Sequence, residues 1–282
     1  MNNQEILIEE RKKRIINFLK RPRVWILLFL FIVIILGVYI RSLPMQDHGG
    51  KPGLWDIAKD DWTLGPDLDP WLFTRYAKTI VEKGSLPEID TMRNVPLGFE
   101  TSKETRLLPY MIIGIYYLVN LFGDFNIEFA AGIFPVIMFA LTIIIFFLFV
   151  REIFIGKLEE DKKKANIISL IATFFMVVIP VFLSRTLAGI PEKESAAFFF
   201  MFLAFYLFLR AWKSKDIKKS SIFSIFSGIS TAMMGLIWGG VSYVFVTVAI
   251  ASLIAFILNK VHKKEFVSYS SWIISSVLII TL

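Results

Sequence analysis

Two pairs of carboxylates interrupt an otherwise apolar chain. The first lies in GPDLDPW, residues 65–71, where Asp67 and Asp69 flank one leucine. The second lies in SRTLAGIPEKES, residues 184–195, with Glu192 and Glu194 again two positions apart. An acid-x-acid pair projects two hard oxygen ligands toward one point, a donor set that suits Mg²⁺ or Mn²⁺. Each pair also has a plainer reading. Asp69 precedes Pro70 and has the makings of a helix N-cap, with the proline at the first helical position. Glu192 and Glu194 follow Pro191, and acids in a first helical turn complement the helix dipole. Asp67, two residues earlier in a loop, is less easily explained by capping. Two arginines near the acids, Arg93 and Arg185, read either as ordinary salt-bridge partners or as contacts for a lipid-linked phosphate.

The elements that must hold these acids are hydrophobic. Of 282 residues, 56% are hydrophobic and 15% aromatic, above the apolar share of a soluble domain. Candidate spanning runs fall at 24–40, 107–122, 128–150, 165–183, 195–212, 220–237, 239–259 and 267–282, against the roughly 20 residues that a spanning helix needs. The fold class expected is all-α, a polytopic transmembrane helical bundle. The final run is still apolar at Leu282, which reads as the front part of a longer protein.

No cysteine is present, so thiolate and disulfide chemistry are excluded, and two histidines, His48 and His262, make a histidine metal site improbable. No P-loop, GxGxxG, HExxH or GxSxG pattern occurs. The net charge of +7 reflects membrane orientation rather than nucleic acid. Segments 1–23, 151–164, 210–219 and 260–264 hold 20 of the 31 basic residues, and basic loops lie on the cytoplasmic side.

Parity then requires one run not to cross. The weakest is LLPYMIIGIYYLVNLF, residues 107–122, which contains Pro109 and Gly114 and meets GDFN. Read as a re-entrant or interfacial helix, it leaves about seven crossings and every basic loop inside. Residues 1–23 become a cytoplasmic basic tail and 24–282 a transmembrane domain. Within that domain, 41–127 is a large outer loop and 184–194 a second outer loop, so both acidic pairs share the outer face of a multi-pass cell-membrane protein. Behind Asp69, the residues Trp71, Leu72, Phe73, Tyr76, Ile80 and Val81 stripe an amphipathic helix that ends at Gly84. The turn WGG at 238–240 reads as a close-packed helix junction.

Together these residues resemble the amino-terminal membrane half of the oligosaccharyltransferase catalytic subunit. DLDPWLFTRYAK is similar to that family's first acidic motif, and NVPLG (94–98) to a segment of the same outer loop. SRTLAGIPEKES is similar to its second acidic motif, and WGGVSYVF (238–245) to a later turn. The order of these four is more specific than any one of them. The resemblance implies a C-type glycosyltransferase-like fold and transfer of a glycan from a polyprenyl (dolichyl) phosphate or pyrophosphate carrier to asparagine in N-x-S/T sequons. It implies Asp69 as metal ligand and acceptor-amide contact, Asp67 as the less strict first acid, and Glu192 and Glu194 as further metal or amide contacts. Asp69 and Glu194 are the residues expected to act in catalysis. The first acid of the second motif is commonly aspartate in the family, and this chain has Glu-Lys-Glu. The resemblance also places a carboxy-terminal outer soluble domain beyond Leu282, so the 282 residues alone are expected to be inactive.

The partners expected are a lipid-linked oligosaccharide, an acceptor polypeptide and membrane lipid, with no nucleic acid. The rival readings are another polyprenyl-phosphate-sugar-dependent glycosyltransferase with Asp69 as general base, an ion-coupled transporter, and a structural membrane subunit.

Overall fold

The computed structural model describes residues 22–47, 49–105 and 107–281, with Arg11, Lys12 and Asn17. The basic tail read over 1–23, His48 and Leu282 lie largely or wholly outside the described residues. Among the described residues, nine helices of eight residues or more run in chain order. They are α1 (Pro22–Ser42), α2 (Leu68–Lys83), α3 (Leu107–Val119), α4 (Ile127–Phe154), α5 (Glu159–Val178), α6 (Lys193–Lys213), α7 (Ile217–Gly235), α8 (Ser242–Ile257) and α9 (Lys263–Ile280). Four two-residue strands, β1 (Trp55–Asp56) with β2 (Asp61–Trp62) and β3 (Ile89–Asp90) with β4 (Phe99–Glu100), form two antiparallel hairpins on either side of α2.

Every run expected to cross is helical. The segments Val24–Met45, Ile127–Phe154, Lys193–Lys213 and Gly239–Ile257 are long and apolar enough to cross a membrane by themselves. Helices α5, α7 and α9 pack beside them and are more polar, each for a local reason. The first turn of α5 carries Glu159, Glu160 and Asp161. The serines of α7 and α9 turn inward, with Ser220, Ser224, Ser227, Ser230, Ser268 and Ser276 all buried. Helix α3 has 13 residues, about 20 Å of rise, too short for a hydrocarbon layer of about 30 Å. Its shortness agrees with reading that run as one that does not cross.

Helix α4 is the hub. Its Phe139, Ile143 and Phe147 pack with Leu30 and Val33 of α1, Met176 and Val177 of α5 and Phe202 of α6. Nearer its start, Ile127, Ala131, Phe134 and Met138 pack with Phe73, Ala77 and Ile80 of α2 and Leu108 and Ile112 of α3. Thus α2 rests on α3 and α4 rather than only on a membrane surface. A third cluster joins α6, α7, α8 and α9 around buried Trp272.

Candidate active site

Helix α2 begins at the first acidic pair, but its N-cap is Asp67, not Asp69. Asp67 has extended backbone and its carboxylate accepts from the Leu68 amide at 2.7 Å. The proline that suggested a cap at Asp69 sits in the third helical position, where its missing N–H still costs no intrahelical bond. Asp69 is therefore one of the first residues of the helix proper, exposed, and without an ion pair or side-chain hydrogen bond among the described residues. It borders an open depression of about 640 Å³ whose walls include Arg75, Lys78, Arg93 and Glu128. At the other end Gly84, with φ of 80°, caps α2 in the left-handed conformation that favours glycine.

Glu192 is the N-cap position of α6, and Glu194 lies in its first turn. Only about 4% of Glu192 is exposed, and its carboxylate pairs with the Arg185 guanidinium. Burial raises its pKa above the ordinary glutamate range. The bond from Arg185 works against that rise, while a hydrogen bond shared with the Asp67 carboxyl and the charge of Glu194 add to it. Arg185 in turn holds its proton more tightly, chiefly through Glu192, with contributions from Glu194 and Asp67. The structure thus brings Asp67, Glu192, Glu194 and Arg185 together, three carboxylates around one cation. It shows no contact between Asp69 and either glutamate.

Backbone, not side chains, makes this meeting possible. Gly65 N–H donates to Gly189 O at 2.9 Å, and Gly189 N–H donates to Gly132 O of α4 at 2.9 Å. Gly189 has φ of 83°, and a Cβ there would stand 2.6 Å from Leu54 Cδ1 and 3.1 Å from Gly65 N. The glycines of GPDLDPW and LAGIPEKE therefore clip the two acidic loops to each other and to α4. Trp71 Nε1 closes the first loop by donating to Gly65 O at 3.1 Å.

A second network locks the large loop. Asp90 accepts from both Arg75 terminal nitrogens, from Tyr76 Oη at 3.0 Å and from Met92 N at 3.1 Å. The Arg75 bond leads in holding its carboxyl below the ordinary aspartate value, against the effect of burial. The NVPLG segment forms the turn between β3 and β4, with Gly98 N–H donating to Asn94 O at 3.1 Å. That turn brings Arg93 to Glu104 at 3.0 Å and over the Phe99 ring. Glu104 also receives Lys193 Nζ at 2.8 Å, so the lysine between the two motif glutamates pairs with a residue 89 positions away. Burial raises the Glu104 pKa, but Lys193, the Thr105 amide and Arg93 together pull it below the ordinary value.

Arg41, at the end of α1, was not singled out from the sequence. It is fully buried, donates to Thr186 Oγ1 at 2.8 Å and to Val177 O at 3.1 Å, and lies over the Phe139 ring. Its own carbonyl accepts from Ala188 N at 2.9 Å. It thereby staples the loop that carries Arg185 and Glu192. Its signal in the sequence is an arginine at the end of an apolar run, which the eye assigns to a boundary. Asp90 and Glu104 carry no local signal, because their partners lie on other elements.

Among the described residues no three acids or histidines form a ready-made metal cage. The donor chemistry nevertheless fits a hard divalent cation: Glu192 pairs with Arg185, and the charges of Glu194 and Asp67 also act on that arginine, leaving a local excess of negative charge. The model of the oligosaccharyl transferase STT3 N-terminal family matches residues 56–282.

The chain belongs to that family.

Among its relatives, dolichyl-phosphooligosaccharide-protein glycotransferase 2 of Archaeoglobus fulgidus is 26% identical over 227 residues, covering 80% of this chain and 33% of the relative. The glycosyltransferase subunit stt3 of Schizosaccharomyces pombe is 25% identical, covering 73% and 26%. The fold matches archaeal oligosaccharyltransferase AglB from Archaeoglobus fulgidus, in complex with an inhibitory peptide and a dolichol-phosphate, at a TM-score of 0.73. That match has 22% identity and covers 91% of this chain and 29% of that one. An Archaeoglobus fulgidus oligosaccharyltransferase in complex with Zn and sulfate matches at 0.72 with 23% identity. The chain spans about a third of the length of these relatives. It is a polytopic helical membrane protein.

Proposed function

We propose that the chain supplies the metal-binding half of an oligosaccharyltransferase site, moving a glycan from a polyprenyl phosphate or pyrophosphate carrier to asparagine in N-x-S/T sequons. One observation carries the reading: the two acidic loops are hydrogen-bonded to each other through Gly65 and Gly189, with Asp67 and Glu192 side by side. The relatives named above are dolichyl-phosphooligosaccharide and dolichyl-diphosphooligosaccharide glycosyltransferases, and one similar structure holds a dolichol-phosphate and a peptide.

Asp67, Glu192 and Glu194 are the residues that would hold Mg²⁺ or Mn²⁺, with Asp69 facing the ion or the acceptor. A bound divalent ion supplies Lewis acidity that offsets charge on the departing phosphate. An amide nitrogen is a poor nucleophile because its lone pair is delocalised into the carbonyl. Carboxylates accepting hydrogen bonds from both amide N–H groups weaken that conjugation and aim the nitrogen at the anomeric carbon. Asp69 is free for this role, since no ion pair or side-chain hydrogen bond engages it among the described residues. Arg93, in the depression beside Asp69, and Arg185, beside Glu192, are the cations that would meet the carrier phosphate. In this reading the amino terminus is cytoplasmic, the chain lies in the cell membrane, residues 41–127 and 184–194 are outer loops, and the site opens outward.

The test is transfer of a lipid-linked glycan to a sequon peptide and to a lipid acceptor, side by side, in membranes holding the native protein. Asp69→Ala is expected to abolish transfer to the peptide while the protein stays folded. Transfer by that variant at the native rate, or transfer to the lipid acceptor alone, contradicts the proposal.

A further inference from the structure

At the end of the bundle remote from the acidic motifs, the seam between α1 and α5 opens. The two helices run in the same direction, since Arg41 near the end of α1 bonds Val177 near the end of α5. Near their starts lies an opening of about 450 Å³ with a charged rim of Arg151, Lys162, Lys163 and Glu159, walled by Ile26 and Phe147. Following it is a second opening of about 320 Å³ lined only by Phe29, Val33, Ile167, Leu170, Ile171 and Phe174. The first opening lies between α1, α4 and α5, where a basic rim meets apolar walls of Ile26, Leu27, Phe147 and Leu148, and the second lies between α1 and α5 alone.

The rim of the first opening has a net positive charge. Lys162 pairs with Glu159, but neither Arg151 nor Lys163 pairs with a carboxylate among the described residues. Arg151 Nε is fixed by Asn166 Oδ1 at 2.7 Å, which holds its guanidinium plane at the mouth. A cationic rim on apolar walls matches one molecular shape in a bilayer: a phosphate headgroup on a hydrocarbon chain.

We propose that the first opening binds one anionic phospholipid, its phosphate on Arg151 and Lys163 and one chain against Ile26, Leu27, Phe147 and Leu148. The site lies at the opposite end of α1 and α5 from the acidic loops and is independent of the reading of those loops. Positive charge in the 151–164 loop then serves retention of a lipid as well as orientation.

The test reconstitutes the chain in nanodiscs of phosphatidylcholine with a minor share of phosphatidylglycerol, then counts retained lipids by native mass spectrometry. One phosphatidylglycerol is expected to stay bound in preference to phosphatidylcholine. Arg151→Gln and Lys163→Gln are each expected to weaken retention by about fivefold. Leu148→Trp, which fills the first opening without changing charge, is expected to weaken it too. Circular dichroism confirms that each variant is helical. Should a variant not fold, the preference for phosphatidylglycerol in the unaltered chain, and its loss at high salt, decides the matter. Equal retention of both lipids, or retention unchanged in all folded variants, overturns the proposal.

Discussion

A buried carboxylate is unfavourable unless a cation or hydrogen-bond donors compensate it, and the arginine that pairs with Glu192 also feels the charges of Glu194 and Asp67. The sign of the resulting pH dependence follows. Because the folded state raises the Glu192 pKa, its contribution to stability is complete below the ordinary glutamate value and is lost as pH rises through the raised one. A divalent ion prefers the ionised group, so metal affinity should change in the opposite sense and fall as pH drops into that same range. Thermal unfolding followed against pH, with and without Mn²⁺, is expected to show stabilisation by the ion at neutral pH that fades on acidification. Glu192→Gln should remove most of that difference. Gly189 matters for a different reason. Substitution by alanine there puts a side chain in the left-handed region and against Leu54, at a cost of about 1–3 kcal/mol. Limited proteolysis of the 184–190 loop should therefore quicken in Gly189→Ala.

Between elements, hydroxyl groups and close backbone approach hold the bundle together. Ser220 and Ser268 hydroxyls bond at 2.6 Å, Ser227 and Ser230 donate to the Ala204 and Phe200 carbonyls of α6, and Trp272 Nε1 donates to Thr231 Oγ1 at 3.0 Å. Helices that carry small residues approach closely in this way. A Cβ on Gly228 would stand 2.5 Å from Trp272 O, a backbone atom that no rotamer change can move. Gly228→Leu is thus expected to separate α7 from α9 and lower the unfolding temperature by several degrees in a detergent melt. At this scale the sequence was readable. Hydrophobic runs marked every long helix, and parity singled out α3, whose length agrees with that reading. The cap of α2 was misread by two residues because a proline is tolerated anywhere in the first turn, not only at its first position. The hairpins of 41–127 left no trace, since two-residue strands are too short to alternate visibly.

Across the whole molecule, both acidic loops gather where α2 and α6 begin and α1 ends, clipped to α4 by glycine and stapled by Arg41. The sequence showed which residues carry charge and, through orientation, that they share a face. It did not show that Asp67, rather than Asp69, stands beside Glu192, because that depends on which residue caps the helix. Nor did it show Lys193 drawn away to Glu104, a pairing between distant loops. The central claim is that the two loops together make one divalent-ion site. It is tested most directly by Mn²⁺ titration of the chain in nanodiscs, read by electron paramagnetic resonance. One saturable ion, displaced by Mg²⁺ and weakened at least tenfold in Asp67→Asn and in Glu192→Gln, is the result predicted. Binding of Mn²⁺ unchanged in both variants contradicts it.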